Sequence, residues 1–596
     1  MTKISITWDP ITECVVLSQN SKDAILWCDF VRIISDYTDS YTLTGNKLIV
    51  PVQVFLVVRQ EIAKFMRNHG ISASMSDDIK ALLKTTNVHS YHYACGQTPI
   101  SAADLGSRLD SIGFVRKLTQ NQINNVCRLA PLPGGATFSV PGAGKTTEAL
   151  AYFFYNAADD DRLLVVAPVN AFGAWDEQIS DCFGDDRYNF VRLRGGYDNI
   201  EKLLNANPHF MLISYQQFPR VTDLIKRYLQ NHSVYMFLDE SHRIKRGAGG
   251  VSADAILNIS WLPKKKLIMT GTPMPQSTAD LIPQFDFLYP DKRANLDNAV
   301  QLIQPIYVRT TQGQLGIPEV KRIIKSFPMS SLQTSLYDVL RSETKRQMLA
   351  ISPRSLRDLR DLSKAVMKVM EFVSNPSLLA ADMNFIFNSE LANLLAKETG
   401  PKIDYACNRA RELAAEGKKV IIWSQFVKNV ELIADRLSDL GADYIHGGVD
   451  AGSEEEEDTR EWKIKEFHSN PGKMVLVANP AAASEGISLH KVCQYAIYVD
   501  RSFNAAHYLQ SEDRIHRLGL RPNQTPVVEI LECEDTLDEV IRARLNSKIN
   551  TMATALNDSS LRIDNIPLEV EENGSGLDDD DVQAILSYFF DGSTIV

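Results

Sequence analysis

Two short runs in this 596-residue sequence carry residue types whose spacing suits phosphate chemistry. The run SVPGAGKTT, Ser139 to Thr147, reads as a strand end, a small-residue turn and a helix start. Backbone groups along Pro141, Gly142, Ala143 and Gly144, with Lys145, Thr146 and Thr147, are expected to cradle nucleotide phosphates. Lys145 would reach the β- and γ-phosphates and Thr146 would ligate Mg²⁺. Ser139 stands where the full GxxxxGK[ST] signature has its first glycine. The second run, VYMFLDESH, is an apolar strand ending in Asp239 and Glu240. Asp239 is placed to hold Mg²⁺ and Glu240 to polarise an attacking water. Alone, the first run implies only nucleotide binding; together they predict ATP hydrolysis. His242 is weaker evidence, since a lone histidine is more often a packing residue.

The elements that must position these residues follow from periodicity. From Phe114 onward, apolar strands (ATFSV, RLLVVAP, NFVRL, HFMLISY, VYMFLDE, KKLIMTG) alternate with helical stretches, which predicts a parallel sheet covered by helices. A second series begins near Lys402 with KKVIIWSQ, DYIHG, MVLVANP, QYAIYVD and PVVEILE. The expected fold class is therefore α/β, with two tandem parallel-sheet domains of similar design, a small α+β N-terminal domain and a helical bridging insertion. The expected boundaries are 1–112 for a separate accessory or substrate domain, 113–328 for the first parallel-sheet domain, 329–390 for the helical bridge, 391–556 for the second parallel-sheet domain and 557–596 for an acidic tail. That tail ends in DDDDVQAILSYFFDG, read as either a docking helix for a protein partner or a solvated tail with a loosely held helix.

Composition bounds the class. Apolar content of 44% and charged content of 23% are those of an ordinary globular protein. No apolar run is long enough to span a bilayer, and MTKISITWDP lacks the features of a secretory signal, so no membrane partner is expected and a cytoplasmic or nuclear location is. The eight cysteines include no CxxC pair, which argues against a zinc site or disulfide framework. A net charge of −11 does not advertise a nucleic-acid binder, but phosphate contact needs only a local basic groove.

DESH, followed by LIMTGTPMPQS (Leu267 to Ser277), VIIWSQF (Val420 to Phe426) and QSEDRIHRLG (Gln510 to Gly519), resembles the ordered motifs of helicase superfamily two, particularly its SWI/SNF-type branch. VVAPVNAFGAWDEQ, ISYQQF, LGIP and DRSFNAAHYLQ favour that branch over DEAD-box RNA helicases, and the likeness runs from about Phe114 to Leu556. The resemblance implies that the two parallel-sheet domains, 113–328 and 391–556, are RecA-like, that Gln122 recognises adenine, that Gly486 allows close approach near the nucleotide, and that Gln510 helps complete the site. Arg514 and Arg517, three apart on a helix, would be arginine fingers for the γ-phosphate. Thr270, Gly271 and Thr272 would relay nucleotide state, and Pro168, Tyr215, Ser424, Gln425, Ser484 and Asn504 would lie near a DNA backbone. Ser484, Ser488 and Phe503 depart from the usual residues of that part.

The implied activity is an ATP-dependent double-stranded-DNA translocase that remodels duplex or branched DNA, with fork regression or annealing as specialisations. The N-terminal stretch KLIVPVQVFLVVRQEIA is loosely similar to HARP-type or UvsW-like modules. A strand-separating DNA or RNA helicase, and a motor subunit of a restriction, phage-defence or remodelling assembly, are the alternatives.

Overall fold

The computed structural model describes residues 3–9, 12, 14–19, 24–35, 41–94, 98–184, 187–245, 250–292, 294–350, 356–379, 397–450, 456–483, 488–517, 519, 520, 524–558, 561 and 579–591. They form two compact units, one of residues 1–139, 144–273 and 278–309, the other of residues 140–143, 274–277 and 310–596.

The first unit opens with a mixed sheet of β1 (Lys3–Asp9), β2 (Cys14–Gln19), β3 (Thr42–Thr44), β4 (Lys47–Pro51) and β5 (Ser72–Met75), in the order β3-β4-β2-β1-β5. Alternate residues Ile4, Ile6, Val15, Leu17, Leu48 and Val50 turn one face into a core with Phe30 and Ile34 from helix Ala24–Ser35 and Phe55 from helix Val52–Asn68. This is the expected α+β module, but it is not separate. Arg59 pairs with Asp291 at 3.3 Å in a buried contact, Trp8 meets Trp261 edge-on at 5.8 Å, and the Tyr93 hydroxyl donates to the Leu302 carbonyl at 2.8 Å. Helix Ala102–Ser111 buries Leu105 and Leu109 and packs on helices Gln120–Leu129 and Lys145–Asn156, so the α/β domain starts before residue 113.

The rest of this unit is an all-parallel sheet of β6 (Gly134–Thr137), β7 (Arg162–Ala167), β8 (Val191–Arg192), β9 (Phe210–Ser214), β10 (Val234–Asp239), β11 (Lys265–Met269) and β12 (Tyr307–Val308), ordered β12-β6-β11-β10-β7-β9-β8. Its central strands are buried up to Asp239 at the end of β10, which is why they read as apolar runs. Three of the chemistry-bearing runs leave the carboxyl ends of three adjacent strands, β6, β11 and β10. That end of an open parallel sheet is where such folds bind ligands.

The second unit holds another all-parallel sheet of β13 (Lys321–Phe327), β14 (Lys419–Trp423), β15 (Asp443–Ile445), β16 (Val475–Ala478), β17 (Cys493–Tyr498) and β18 (Val527–Cys533), ordered β13-β18-β17-β14-β16-β15. Residues 321–327, expected in the first RecA-like domain, are the edge strand of this sheet, paired along their whole length with β18. The bridging segment is helical over Ser331–Ala350 and Leu356–Ser374.

Of the acidic tail, the described helix packs against the rest of its unit. Helix Asp579–Asp591 buries Val582, Ile585, Tyr588 and Phe589. Asp581 lies between Arg544 (2.9 Å) and Lys548 (2.6 Å), and the Tyr337 and Tyr588 hydroxyls share a hydrogen bond of 2.7 Å. Among the described residues no helix is long and apolar enough to cross a membrane, and the seven described cysteines are free thiols.

Candidate functional site

The phosphate loop is shaped by two glycines in the left-handed region, Gly142 at φ 83° and Gly144 at φ 79°, and Gly144 caps helix Lys145–Asn156. Gln122 holds the loop's end. Its helix starts in a capping box in which the Gln122 N–H donates to Thr119 Oγ1 (3.3 Å) and the Thr119 N–H to Gln122 Oε1 (2.9 Å). Its Nε2 then donates to the Gly144 carbonyl at 3.2 Å. A Cβ on Gly144 would come within 2.4 Å of that nitrogen and displace the Gln122 amide, and the left-handed φ strains any other residue there. Lys145 folds back to donate to the Ser139 carbonyl at 2.9 Å, and Thr146 is half-buried in the first helical turn. Thr147 does not face the loop: it is buried and donates its hydroxyl to Gln178 at 2.7 Å, leaving only its backbone for a phosphate.

Asp239 ends β10 with one carboxylate oxygen accepting from the Trp175 indole (3.0 Å) and the other from the Glu240 N–H (3.0 Å). Glu240 has φ 51° and ψ 52°, a left-handed conformation that costs a non-glycine residue about 1–3 kcal/mol. The strain turns its side chain toward β11. Thr270 donates to Glu240 Oε2 at 3.2 Å, His242 Nδ1 lies 3.0 Å from Thr270 Oγ1 and 3.3 Å from Glu240 Oε2, and the Thr272 N–H donates to Thr270 Oγ1 at 3.1 Å. With its proton on Nδ1, His242 completes a chain from imidazole to hydroxyl to carboxylate. The lone histidine is therefore part of the site, a role that its type and position alone did not reveal.

The two carboxylates are differentiated. Burial and then the Glu240 charge push Asp239 up, against the opposing pull of Trp175 and Lys145. Burial acts the same way on Glu240, but the His242 hydrogen bond and charge, Lys145 and Thr270 outweigh it and hold that carboxyl below its usual range. The Lys145 charge acts on both acids, which brings the two sequence runs into one electrostatic site. No cluster of three or more His, Cys, Asp or Glu that would cage a metal occurs among the described residues. Thr146 and Asp239 fit a Mg²⁺ that takes its remaining ligands from phosphate and water, which suits this reluctantly dehydrated ion.

In the second unit, helix Ala505–Glu512 ends before the arginine pair, so Arg514 and Arg517 lie in the turns after it rather than on it. Glu512 fixes that exit through a bidentate pair with Arg322 of β13 (2.9 and 2.5 Å) and a hydrogen bond from the Tyr508 hydroxyl (3.0 Å). Arg514 donates to the carbonyl of buried Gln510 at 2.8 Å, and burial lowers the pKa of Arg517 despite nearby Asp513.

The expected backbone-contact residues divide. Pro168 and Tyr215 are buried, and Tyr215 donates its hydroxyl to the Asp239 carbonyl at 2.7 Å, so it supports the acidic pair instead of presenting a side chain outward. Ser424 is also buried, donating to Asp500 at 2.6 Å. Gln425 and Asn504 line a cavity of about 280 Å³ at the carboxyl ends of β14, β16 and β17. Asn504 also caps helix Ala505–Glu512 through the N–H groups of Ala506 and His507. Ser484 and Gly486 lie outside the described residues.

Residues 109–299 match the SNF2-related domain and residues 401–519 match the helicase conserved C-terminal domain, just over half the chain together. The mouse protein "Chromodomain-helicase-DNA-binding protein 1-like" is 23% identical over 68% of this chain and 46% of its own length. The mouse "DNA annealing helicase and endonuclease ZRANB3" is 20% identical over 70% of this chain and 38% of its own. The chain thus spans half or less of these curated relatives. A solved structure, "Sulfolobus solfataricus SWI2/SNF2 ATPase core in complex with dsDNA", matches 75% of this chain and 95% of that one at 19% identity with a TM-score of 0.33. The chain thus carries an SNF2-related domain followed by a helicase conserved C-terminal domain, the pair of domains whose motifs resemble the SWI/SNF-type branch of superfamily two.

Proposed function

We propose that this protein is a double-stranded-DNA-stimulated ATPase that translocates along the duplex and remodels the DNA or complexes it meets. The observation that carries the hydrolytic half is the aimed carboxylate: Glu240 is held ionised by His242, Lys145 and Thr270, beside the Asp239 carboxylate and the phosphate-loop lysine. Glu240 polarises the lytic water, Lys145 and the loop N–H groups hold the phosphates, and Thr146 and Asp239 hold Mg²⁺, which neutralises phosphate charge when bound. Gln122 reads adenine, and Arg514 and Arg517 stabilise charge on the transferred phosphoryl group.

For the DNA half, Gln425 and Asn504 at the cavity rim are the backbone contacts, which makes binding independent of sequence and sensitive to salt. Ser424 acts from behind them through Asp500, which also accepts from the Gln425 N–H, and Pro168 and Tyr215 act within the first unit. The curated relative whose name describes a DNA annealing helicase supports annealing as a specialisation over strand separation. The test is ATP hydrolysis with no nucleic acid, duplex, single-stranded and forked DNA, and RNA. Stimulation by duplex or forked DNA is expected; stimulation by RNA alone would sink the reading.

A further inference from the structure

Helices Gln120–Leu129 and Lys145–Asn156 are tied at two levels. The first is Gln122 Nε2 to the Gly144 carbonyl at 3.2 Å. The second lies one turn further along both helices, where Asn125 Nδ2 donates to Glu148 Oε2 at 2.9 Å. Gln122 and Asn125 are three apart, and Gly144 and Glu148 four, so each pair shares a helix face. Both ties run the same way, from a carboxamide on the Gln122 helix to an acceptor on the phosphate-loop helix. A shift of one helix along the other must break both.

The second tie is an expensive choice of residues. Glu148 is 1% exposed and Asn125 8%. The carboxyl's hydrogen-bond donors are neutral, the Asn125 amide and then the Thr137 hydroxyl, burial pushes its pKa up to about 7, and Oε1 has no partner in hydrogen-bond geometry among the described residues. A buried polar atom left in that state costs about 1–3 kcal/mol, whereas an apolar side chain of similar volume would fill the space without that cost. Packing therefore does not account for a glutamate three residues after Lys145. An acceptor that pins the Gln122 helix does.

We propose that Asn125 and Glu148 are a positioning pair that fixes the base-reading Gln122 in register with the phosphate loop, so that the fit of the nucleobase is passed to Lys145. This rests on the reading of Gln122 as the adenine-recognising residue. Neither Asn125 nor Glu148 touches the reacting atoms; both act through Gln122 and the loop.

The experiment is steady-state hydrolysis of ATP and GTP by the full chain carrying Glu148→Met, Asn125→Ala or Glu148→Gln, with Gln122→Ala alongside and thermal unfolding of each. Loss of one net hydrogen bond, about 1 kcal/mol, is worth roughly fivefold, so Glu148→Met and Asn125→Ala should each raise KM for ATP by about that factor. Their kcat should stay within about twofold and the preference for ATP over GTP should collapse. Glu148→Gln, whose amide oxygen still accepts from Asn125, should restore both. Should Glu148→Met not fold, Asn125→Ser reads the same quantities by withdrawing the donor. Unchanged KM and preference with a lowered Tm would reduce the pair to a structural contact and overturn the proposal. So would a fall in kcat at constant KM, which would place the effect on Lys145 chemistry. Retention of ATP preference in Gln122→Ala would overturn the base-reading assignment itself, an outcome distinct from retention in Glu148→Met alone.

Discussion

Thr270 donates its hydroxyl to Glu240 Oε2 at 3.2 Å across thirty residues of sequence, because β10 and β11 are parallel neighbours in register. The same hydroxyl accepts from the Thr272 N–H and faces His242 Nδ1, so the turn after β11 is wired to the acid of β10. A change in that turn re-aims the carboxylate, and a change in the load on the carboxylate is felt in the turn. The turn and the acid are thus coupled through one hydroxyl.

Thr270→Ala should therefore lower kcat by about tenfold, since a hydrogen bond to a charged group is worth about 1.5–3 kcal/mol and part of that is lost from aiming. Thr270→Ser keeps the hydroxyl and should retain most of the turnover. ATP hydrolysis rates and KM for the two variants check this. Equal losses would show that the methyl group, and so packing, is what matters.

Glu240→Gln should reduce hydrolysis by more than about a hundredfold, the scale of a positioned general base, while nucleotide affinity stays near that of the parent. Its Tm should not fall. The amide removes a like charge from beside Asp239, which offsets the loss of the His242 contact. Fluorescent-nucleotide binding and calorimetry on one preparation separate these effects; a variant that loses binding and hydrolysis together would contradict the assigned role.

Lys145, Asp239 and Glu240 were legible in the sequence because their chemistry demands particular residue types inside short local patterns, and β10 reads as a buried strand. The partners that aim them were not. Trp175 and Thr270 reach the acids only through strand adjacency, and nothing local to either residue marks it as a donor to a carboxylate. The strand at 321–327 was misplaced for the same reason. Its pattern KRIIKSF is half-exposed, and its membership in the second sheet is decided by β18, about two hundred residues later. In the tail, the acidic run suggested solvent, and only the folded chain shows that Arg544 and Lys548 receive Asp581. The arginine pair was expected on a helix because spacing favours one; Glu512, held by Arg322, ends it first.

Asp581→Ala should lower stability by about 3 kcal/mol, because removing one member of a buried ionic group leaves the charge it faced uncompensated, here chiefly Lys548, since Arg544 keeps its pair with Asp580 at 3.3 Å. Asp581 is fully buried, and Lys548 also donates to the Phe503 carbonyl at 3.0 Å, next to the capping residue Asn504. Tyr588→Phe, which loses the Tyr337 hydrogen bond and the one to the Asp535 carbonyl, should cost about 1–2 kcal/mol. Denaturant unfolding of the full chain measures both, and a neutral Asp581→Ala would mean that the helix is not docked in solution.

Lys266 supplies a prediction about pH. It sits on β11 at 2% exposure, donates to the carbonyls of Ser260 (2.9 Å) and Phe287 (2.8 Å), and burial lowers its pKa from 10.5 to about 7 although Asp291 opposes this. The unfolded chain therefore binds a proton at Lys266 between about pH 7 and 10.5 that the folded chain has released. Unfolding then takes up a proton, so stability rises with pH through that window, by at most about 1.4 kcal/mol per unit for one group. Below about pH 7 the ammonium is charged in both states, and its burial penalty is constant and largest. Lys265, lowered to about 8 by burial and then by Lys264, adds a contribution of the same sign above that pH. Lys266→Met abolishes the first contribution and leaves the second. Relative to Lys266→Met, the parent should gain stability steadily from pH 6.5 to 9.5. Parallel stability curves for the two proteins would mean that Lys266 keeps its ordinary pKa and reaches water in the folded state.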